Sequence, residues 1–166
     1  MKSKKNFGCN IEYSVEKTPL GTGGAIKKAA KKLDEESFVV INGDVVTNIN
    51  LKKILKKPNT IATNELKTKF GTMKIKNNKI LKFNEKTDVD NVWMNPGLYH
   101  LSTDMVKDLP NNGSIEADVF PKLAKKRLLN SVKFKNVLWH SIDSFKDIEL
   151  CSEEMRTKKY VRFFHN

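Results

Sequence analysis

The chain has 166 residues, enough for one domain with a sizeable core, and its 39% apolar and 30% charged content fits a soluble globular protein. No apolar run approaches the roughly 18 to 20 residues needed to cross a bilayer. The basic start Met1-Lys2-Ser3-Lys4-Lys5-Asn6 lacks the apolar segment of a secretory signal, so no membrane association and a cytoplasmic location are expected.

The net charge of +12 raises the question of nucleic acid. The lysines fall in pairs, at Lys27-Lys28, Lys31-Lys32, Lys52-Lys53, Lys56-Lys57 and Lys125-Lys126. In the first two helical patterns they lie opposite the apolar face, which argues for a solvated surface over a nucleic-acid stripe. Interleaved aromatics of a single-strand stacking platform are missing. Cys9 and Cys151 lie near opposite ends without Cys or His at metal-ligand spacing, so neither zinc nor a disulfide framework is suggested.

In chain order, Ile11 to Val15 alternates and predicts a strand. Glu16 to Gly24 is a loop with three glycines, leading to Ala25, Ile26, Ala29, Ala30 and Leu33 at helical spacing. A helix N-terminus there could receive an anion or a base edge. Glycine-rich turns also arise for geometric reasons alone.

Phe38-Val39-Val40-Ile41 runs without alternation into Asn42-Gly43-Asp44, the pattern of a strand buried on both faces that ends in a tight turn. Strand, helix, strand is the repeat of a parallel sheet with a right-handed crossover. Asp44 at such a carboxyl end is placed to hold Mg²⁺ against a phosphate, or simply closes the turn.

Asn50 caps a short helix with Leu51, Ile54 and Leu55, stopped by Pro58, and Thr60 to Thr63 is a further strand. Phe70 to Phe83 folds into a hairpin about Asn77-Asn78. Its exit ends in Asn84-Glu85-Lys86, where Glu85 and Lys86 read by default as a surface pair. Trp93 to Leu101 is a strand bent at Pro96-Gly97, with Asn95 able to offer an amide. Thr103 to Leu109 is a short helix, and Ser114 caps another over Ile115 to Leu123.

Val132 and Phe134 mark one strand and Val137-Leu138-Trp139 another. Ser144 to Asp147 forms a capping box for a helix carrying Phe145, Ile148, Cys151 and Met155. Asp143 sits at the junction, a second carboxylate in a position like that of Asp44. His140 beside Trp139 reads as structural. After Arg156 the tail is basic and aromatic, so the expected division is a domain over 1–155 and a tail over 156–166.

Taken together, Glu16 to Gly24, Ile41 to Asp44, Phe70-Gly71, Glu85-Lys86, Asn95 to Tyr99 and Trp139 to Asp147 resemble the sugar-1-phosphate nucleotidyltransferases, the family of glucose-1-phosphate thymidylyltransferase and mannose-1-phosphate guanylyltransferase. The most specific part is Pro19-Leu20-Gly21-Thr22-Gly23-Gly24-Ala25 followed by Asn42-Gly43-Asp44. The resemblance implies a Rossmann-like α/β domain with a mixed, mainly parallel sheet and flanking helices. It implies nucleotidyl transfer from a nucleoside triphosphate to a sugar 1-phosphate, with Mg²⁺ as cofactor.

Carried onto this chain, the resemblance gives Gly21, Thr22 and Gly23 the nucleotide base, and Asp44 the metal. Glu85 and Asn95 take the sugar, Gly97 is a further substrate-binding position, and Lys86 neutralises the sugar phosphate. The family's usual second metal Asp falls where this chain has Ser141, and Asp143 stands where a Gly is common; some relatives carry the same Ser-Ile-Asp pattern, and on that resemblance Asp143 is kept as the second ligand.

The family's N-terminal strand and glycine-rich loop would precede Met1. The expectations drawn from this are open sheet edges that pair with another chain, a homo-oligomer, and a chain that is inactive or severely impaired as written. A non-catalytic relative that keeps a sugar-phosphate or nucleotide-sugar pocket and serves as a regulatory or assembly subunit is the alternative reading.

Overall fold

The computed structural model describes residues 9–68, 70–85 and 88–157. These form two compact units, one drawn from residues up to 40, 57–59 and 100–130, the other from 41–56, 60–99 and 131 onward. The α/β character expected from the sequence is present: helices and strands alternate along the chain, among the strands β1 (Ser37–Ile41), β3 (Thr60–Lys67), β6 (Asp88–Met94), β7 (Leu98–Ser102) and β8 (Asn130–Phe134).

The first unit is built around α1 (Gly21–Ala30). Its three glycines lie inside the opening turns of the helix rather than in a loop before it, which corrects the sequence reading. The reason is close approach. The Gly23 N–H donates to the Gly113 carbonyl and the Gly113 N–H to the Leu20 carbonyl, each at 2.9 Å. A Cβ on Gly23 would stand 2.9 Å from the Pro110 ring, and one on Gly24 2.6 Å from the Asn111 carbonyl oxygen.

Two of the α1 lysines are also more than solvated charge. Lys27 Nζ donates to the Leu109 carbonyl at 2.6 Å and Lys28 Nζ to that of Val15 at 2.5 Å. The strand expected over Ile11–Val15 does not form. Alternation makes a strand only where a neighbour supplies the ladder; here Val15 is 72% exposed and its carbonyl is taken by Lys28.

A 3₁₀ turn over Thr103–Asp108 follows β7. Ser114 caps the next element as expected, its hydroxyl accepting from the Ala117 N–H, but the single helix expected over Ile115–Leu123 is a π turn, Ile115–Val119, running into α3 (Phe120–Lys125). Pro121 has no N–H to give and its ring crowds the carbonyl four residues back, so the chain widens before it. Ala30, Met105, Leu109, Ile115, Val119, Phe120 and Leu123 are buried in this unit.

In the second unit β2 (Val45–Thr47) and β9 (Trp139–Ser141) pair antiparallel, with Val45 opposite Ser141 and Thr47 opposite Trp139. β3 and β6 are antiparallel too, as are β4 (Thr72–Lys76) and β5 (Lys79–Asn84). Asn77 and Asn78 both carry positive φ, +49° and +58°, as the expected two-residue hairpin turn requires.

The short helix α2 (Leu51–Ile54) is capped by Asn50, whose side chain accepts from the Lys52 N–H. α4 (Phe145–Met155) is capped by Ser144, and Cys151 on it is buried. Ile54, Ala62, Leu98, Tyr99, Phe134 and Leu138 supply the core of this unit. Among the described residues no helix is long and apolar enough to cross a membrane.

Candidate functional site

The second unit concentrates the chemistry at the junctions leaving β1 and β9. Asn42 to Val45 is a turn closed by the Val45 N–H on the Asn42 carbonyl at 3.2 Å, and the Asp44 carbonyl then accepts from the Ile142 N–H at 2.8 Å. That bond extends the β2–β9 pairing by one step, so Asp44 and Asp143 lie at the same end of the ribbon. The Ser141 hydroxyl stands between them, 3.0 Å from Asp143 Oδ2 and 3.3 Å from Asp44 Oδ2.

One hydroxyl has one proton. It can serve only one of these exposed carboxylates at a time, leaving anionic oxygens that converge with a third, neutral oxygen. Hard oxygens of this kind suit Mg²⁺, which takes a few carboxylates and keeps waters. The backbone of Asp143 is fixed from the helix side, because Asp147 Oδ2 accepts from the Asp143 N–H at 3.2 Å and from the Ser144 hydroxyl at 2.7 Å.

The kink between β6 and β7 is the second part. The Gly97 N–H donates to Asn95 Oδ1 at 3.0 Å, and Asn95 Nδ2 donates to the hydroxyl of buried Tyr99 at 2.8 Å. An amide carries two donors and two lone pairs, so one proton and one lone pair of Asn95 are left for a ligand.

Two bonds hold this kink to the carboxylates. The Asn42 N–H donates to the Gly97 carbonyl, and Trp139 Nε1 donates to that of Pro96, both at 2.9 Å. Gly97 has φ +73°, and a Cβ there would lie 2.6 Å from Asn42 Nδ2, so glycine is needed both for the backbone and for the contact.

Glu85 lies exposed just past β5, beside Gly71, where a Cβ would come 3.0 Å from Glu85 Oε2. No hydrogen bond joins it to the Asp44–Asn95 group among the described residues. Lys86 lies outside the described residues. His140 bonds Glu154 on α4 at 2.9 Å, consistent with the structural reading.

Gly21, Thr22 and Gly23 belong to the first unit. There the Thr22 hydroxyl donates to Glu116 Oε2 at 2.5 Å and accepts from the Ile115 N–H at 3.1 Å, while Ser114 donates to the same Glu116 oxygen at 2.7 Å. The structure thus joins Asp44 with Asp143, and Asn95 with Gly97, and shows three further residues that sequence reasoning did not assign: Asn42, Trp139 and Ser141. Only their spacing to Asp44 and Asp143, two residues in the case of Asn42 and Ser141, could have flagged them.

Residues 1–157 match the family described as nucleotidyl transferase. The chain belongs to that family. It is 38% identical over 100 residues to a D-glycero-alpha-D-manno-heptose 1-phosphate guanylyltransferase of Aneurinibacillus thermoaerophilus, covering 55% of this chain and 44% of that protein. It is 34% identical over 161 residues to a mannose-1-phosphate guanyltransferase of Yarrowia lipolytica, covering 88% of this chain and 44% of that one.

Among solved structures, HddC from Yersinia pseudotuberculosis complexed with GMP-PN superposes with a TM-score of 0.59 at 28% identity, over 85% of this chain and 65% of that one. A Bacillus anthracis structure described as a glucose-1-phosphate thymidylyltransferase, in complex with a sucrose, gives 0.67 at 17% identity, over 93% and 70%, which supports the fold. The chain spans less than half the length of the two curated relatives.

Proposed function

We propose that the protein transfers a nucleotidyl group from a nucleoside triphosphate to a sugar 1-phosphate. An oxygen of the sugar phosphate bonds to the α-phosphorus, the bond from that phosphorus to the bridging oxygen breaks, and pyrophosphate leaves with the negative charge. Little covalent chemistry is asked of the protein; positioning and charge neutralisation lower the barrier. The observation that carries this reading is the Asp44–Ser141–Asp143 cluster tied to the Asn95–Gly97 kink by two backbone-directed bonds.

Asp44 and Asp143 would hold Mg²⁺, with Ser141 between them. Bound there, the cation supplies positive charge against the phosphates. Asn95 would bond a sugar hydroxyl with its remaining amide proton, and Glu85 would accept from others. The Gly97 backbone would line the sugar pocket and Lys86 would neutralise the sugar phosphate. Gly21, Thr22 and Gly23 would meet the base edge.

The guanylyl relatives support GTP and a mannose-type sugar 1-phosphate as the first substrates to try. The same reading places the protein in the cytoplasm, where such sugar phosphates are made. A homo-oligomer belongs to it as well, supported by the β4–β5 hairpin, whose Met73, Ile75, Ile80 and Phe83 are all more than half exposed.

The test is pyrophosphate release from GTP with mannose 1-phosphate and Mg²⁺. Asp44→Asn should abolish it without unfolding the protein. Release at the same rate by Asp44→Asn would remove the carboxylate from the mechanism, and absence of both pyrophosphate release and any binding of a nucleoside triphosphate or sugar 1-phosphate would remove the reaction.

A further inference from the structure

Trp139 is half-buried in β9, two residues before Ser141 and four before Asp143, and its one polar atom is spent on the Pro96 carbonyl at 2.9 Å. The strand itself does not need that bond, because β9 is already registered on β2 through Val45↔Ser141 and Thr47↔Trp139. The kink is packed through buried Pro96, Leu98 and Tyr99, and its backbone is bonded by Asn42 at Gly97 on one side and by the indole at Pro96 on the other, with the exposed Asn95 amide bonded to Gly97 and Tyr99. Proline cannot donate a hydrogen bond of its own, so beside the burial of its ring the Pro96 carbonyl is the one polar group by which this residue is oriented.

We propose that Trp139 is a positioning residue for the sugar-phosphate site: its indole N–H fixes the Asn95–Gly97 turn to the strand that leads to Ser141 and Asp143, and so aims the Asn95 amide. This rests on the assignment of Asn95 to the sugar given above. It assigns Trp139 a role through Asn95 and not through the metal carboxylates, and that distinction makes it testable.

The experiment is a double-mutant cycle of Trp139→Phe and Asn95→Ala, read by calorimetric titration of the full chain with mannose 1-phosphate and, separately, with Mn²⁺ as a probe of the carboxylates. Loss of one hydrogen bond corresponds to roughly a three- to tenfold change in an equilibrium constant. Trp139→Phe should weaken mannose 1-phosphate binding by about that factor and leave Mn²⁺ binding unchanged. In the Asn95→Ala background the same substitution should change sugar-phosphate binding less than about twofold, because the group it aims is gone.

An equal loss in both backgrounds, no loss in either, or a matching loss of Mn²⁺ affinity overturns the inference while leaving the proposed reaction standing. Absence of binding of either mannose 1-phosphate or glucose 1-phosphate to the unaltered protein, with or without GTP present, overturns both.

Discussion

The amide N–H of Asn42 donates to the carbonyl of Gly97 at 2.9 Å, joining the turn that carries Asp44 to the kink that carries Asn95. These segments are far apart in sequence, and their contact is so close that no side chain fits between them: a Cβ on Gly97 would lie 2.6 Å from Asn42 Nδ2 and 2.7 Å from its Cγ. Gly97→Ala therefore meets two penalties. The left-handed backbone at φ +73° costs an alanine about 1–2 kcal/mol, and the displaced Asn42 adds to it. A loss of roughly 2–3 kcal/mol in urea unfolding is expected, together with weakened Mn²⁺ binding as the Asp44 turn shifts. An unchanged urea midpoint would show that the contact is slack.

Metal removal gives a second expectation. Asp44 and Asp143 approach one hydroxyl from two sides, so a bound cation should stabilise the folded state by mass action, by about 2.7 kcal/mol at a hundred times its dissociation constant. Thermal unfolding of the wild type should shift upward with Mg²⁺ and return on adding EDTA. Asp143→Asn should lose most of this response. In EDTA it should stay within about 0.5 kcal/mol of wild type, because the substitution removes one of two like charges at an exposed site. A strong Mg²⁺ shift that survives in both Asp143→Asn and Asp44→Asn would place the cation elsewhere.

Features written into a few adjacent residues were legible from sequence. Asn50, Ser114 and Ser144 cap their helices because each cap needs only its own side chain and an N–H two or three residues on. The Asn77-Asn78 hairpin is equally local. The glycines of α1 were harder, since a glycine's purpose depends on what approaches it, and Pro110, Asn111 and Gly113 come from a distant part of the chain. Ile11–Val15 had the alternation of a strand but no ladder partner, which a pattern cannot reveal. The two carboxylates could be guessed from the resemblance, whereas the hydroxyl between them follows from the register of β2 on β9. Trp139 read as a strand residue because a bond to a proline carbonyl leaves no mark on composition.

Thr22 offers a third expectation. Its hydroxyl gives its proton to Glu116 and accepts the Ile115 N–H, one of the donors left over at the start of a helical segment. Thr22→Val keeps the shape and removes both bonds, so it should cost about 1–2 kcal/mol. If the segment also receives the base, GTP binding should weaken by more than the fold is loosened, and Ser at this position should restore both. A valine variant with native stability and native GTP affinity would reduce the Thr22–Glu116 pair to a surface contact.

Cys151 supplies the pH dependence. Burial on the inner face of α4 disfavours its thiolate, the nearby Glu154 carboxylate adds to the effect, and together they raise its pKa above the ordinary 9.0. A thiol that holds its proton more tightly when folded stabilises the folded state fully below the unfolded value. That contribution is lost as pH rises through the raised folded value, since the unfolded chain is by then the better acid. Urea melts from pH 8 to pH 10.5 should therefore fall more steeply for the wild type than for Cys151→Ala, which has no proton to lose there. The same burial should slow the thiol's reaction with a colorimetric disulfide reagent until urea opens α4. Equal alkaline slopes for the two proteins, or immediate labelling of Cys151 in the native state, would show that the helix does not shield it.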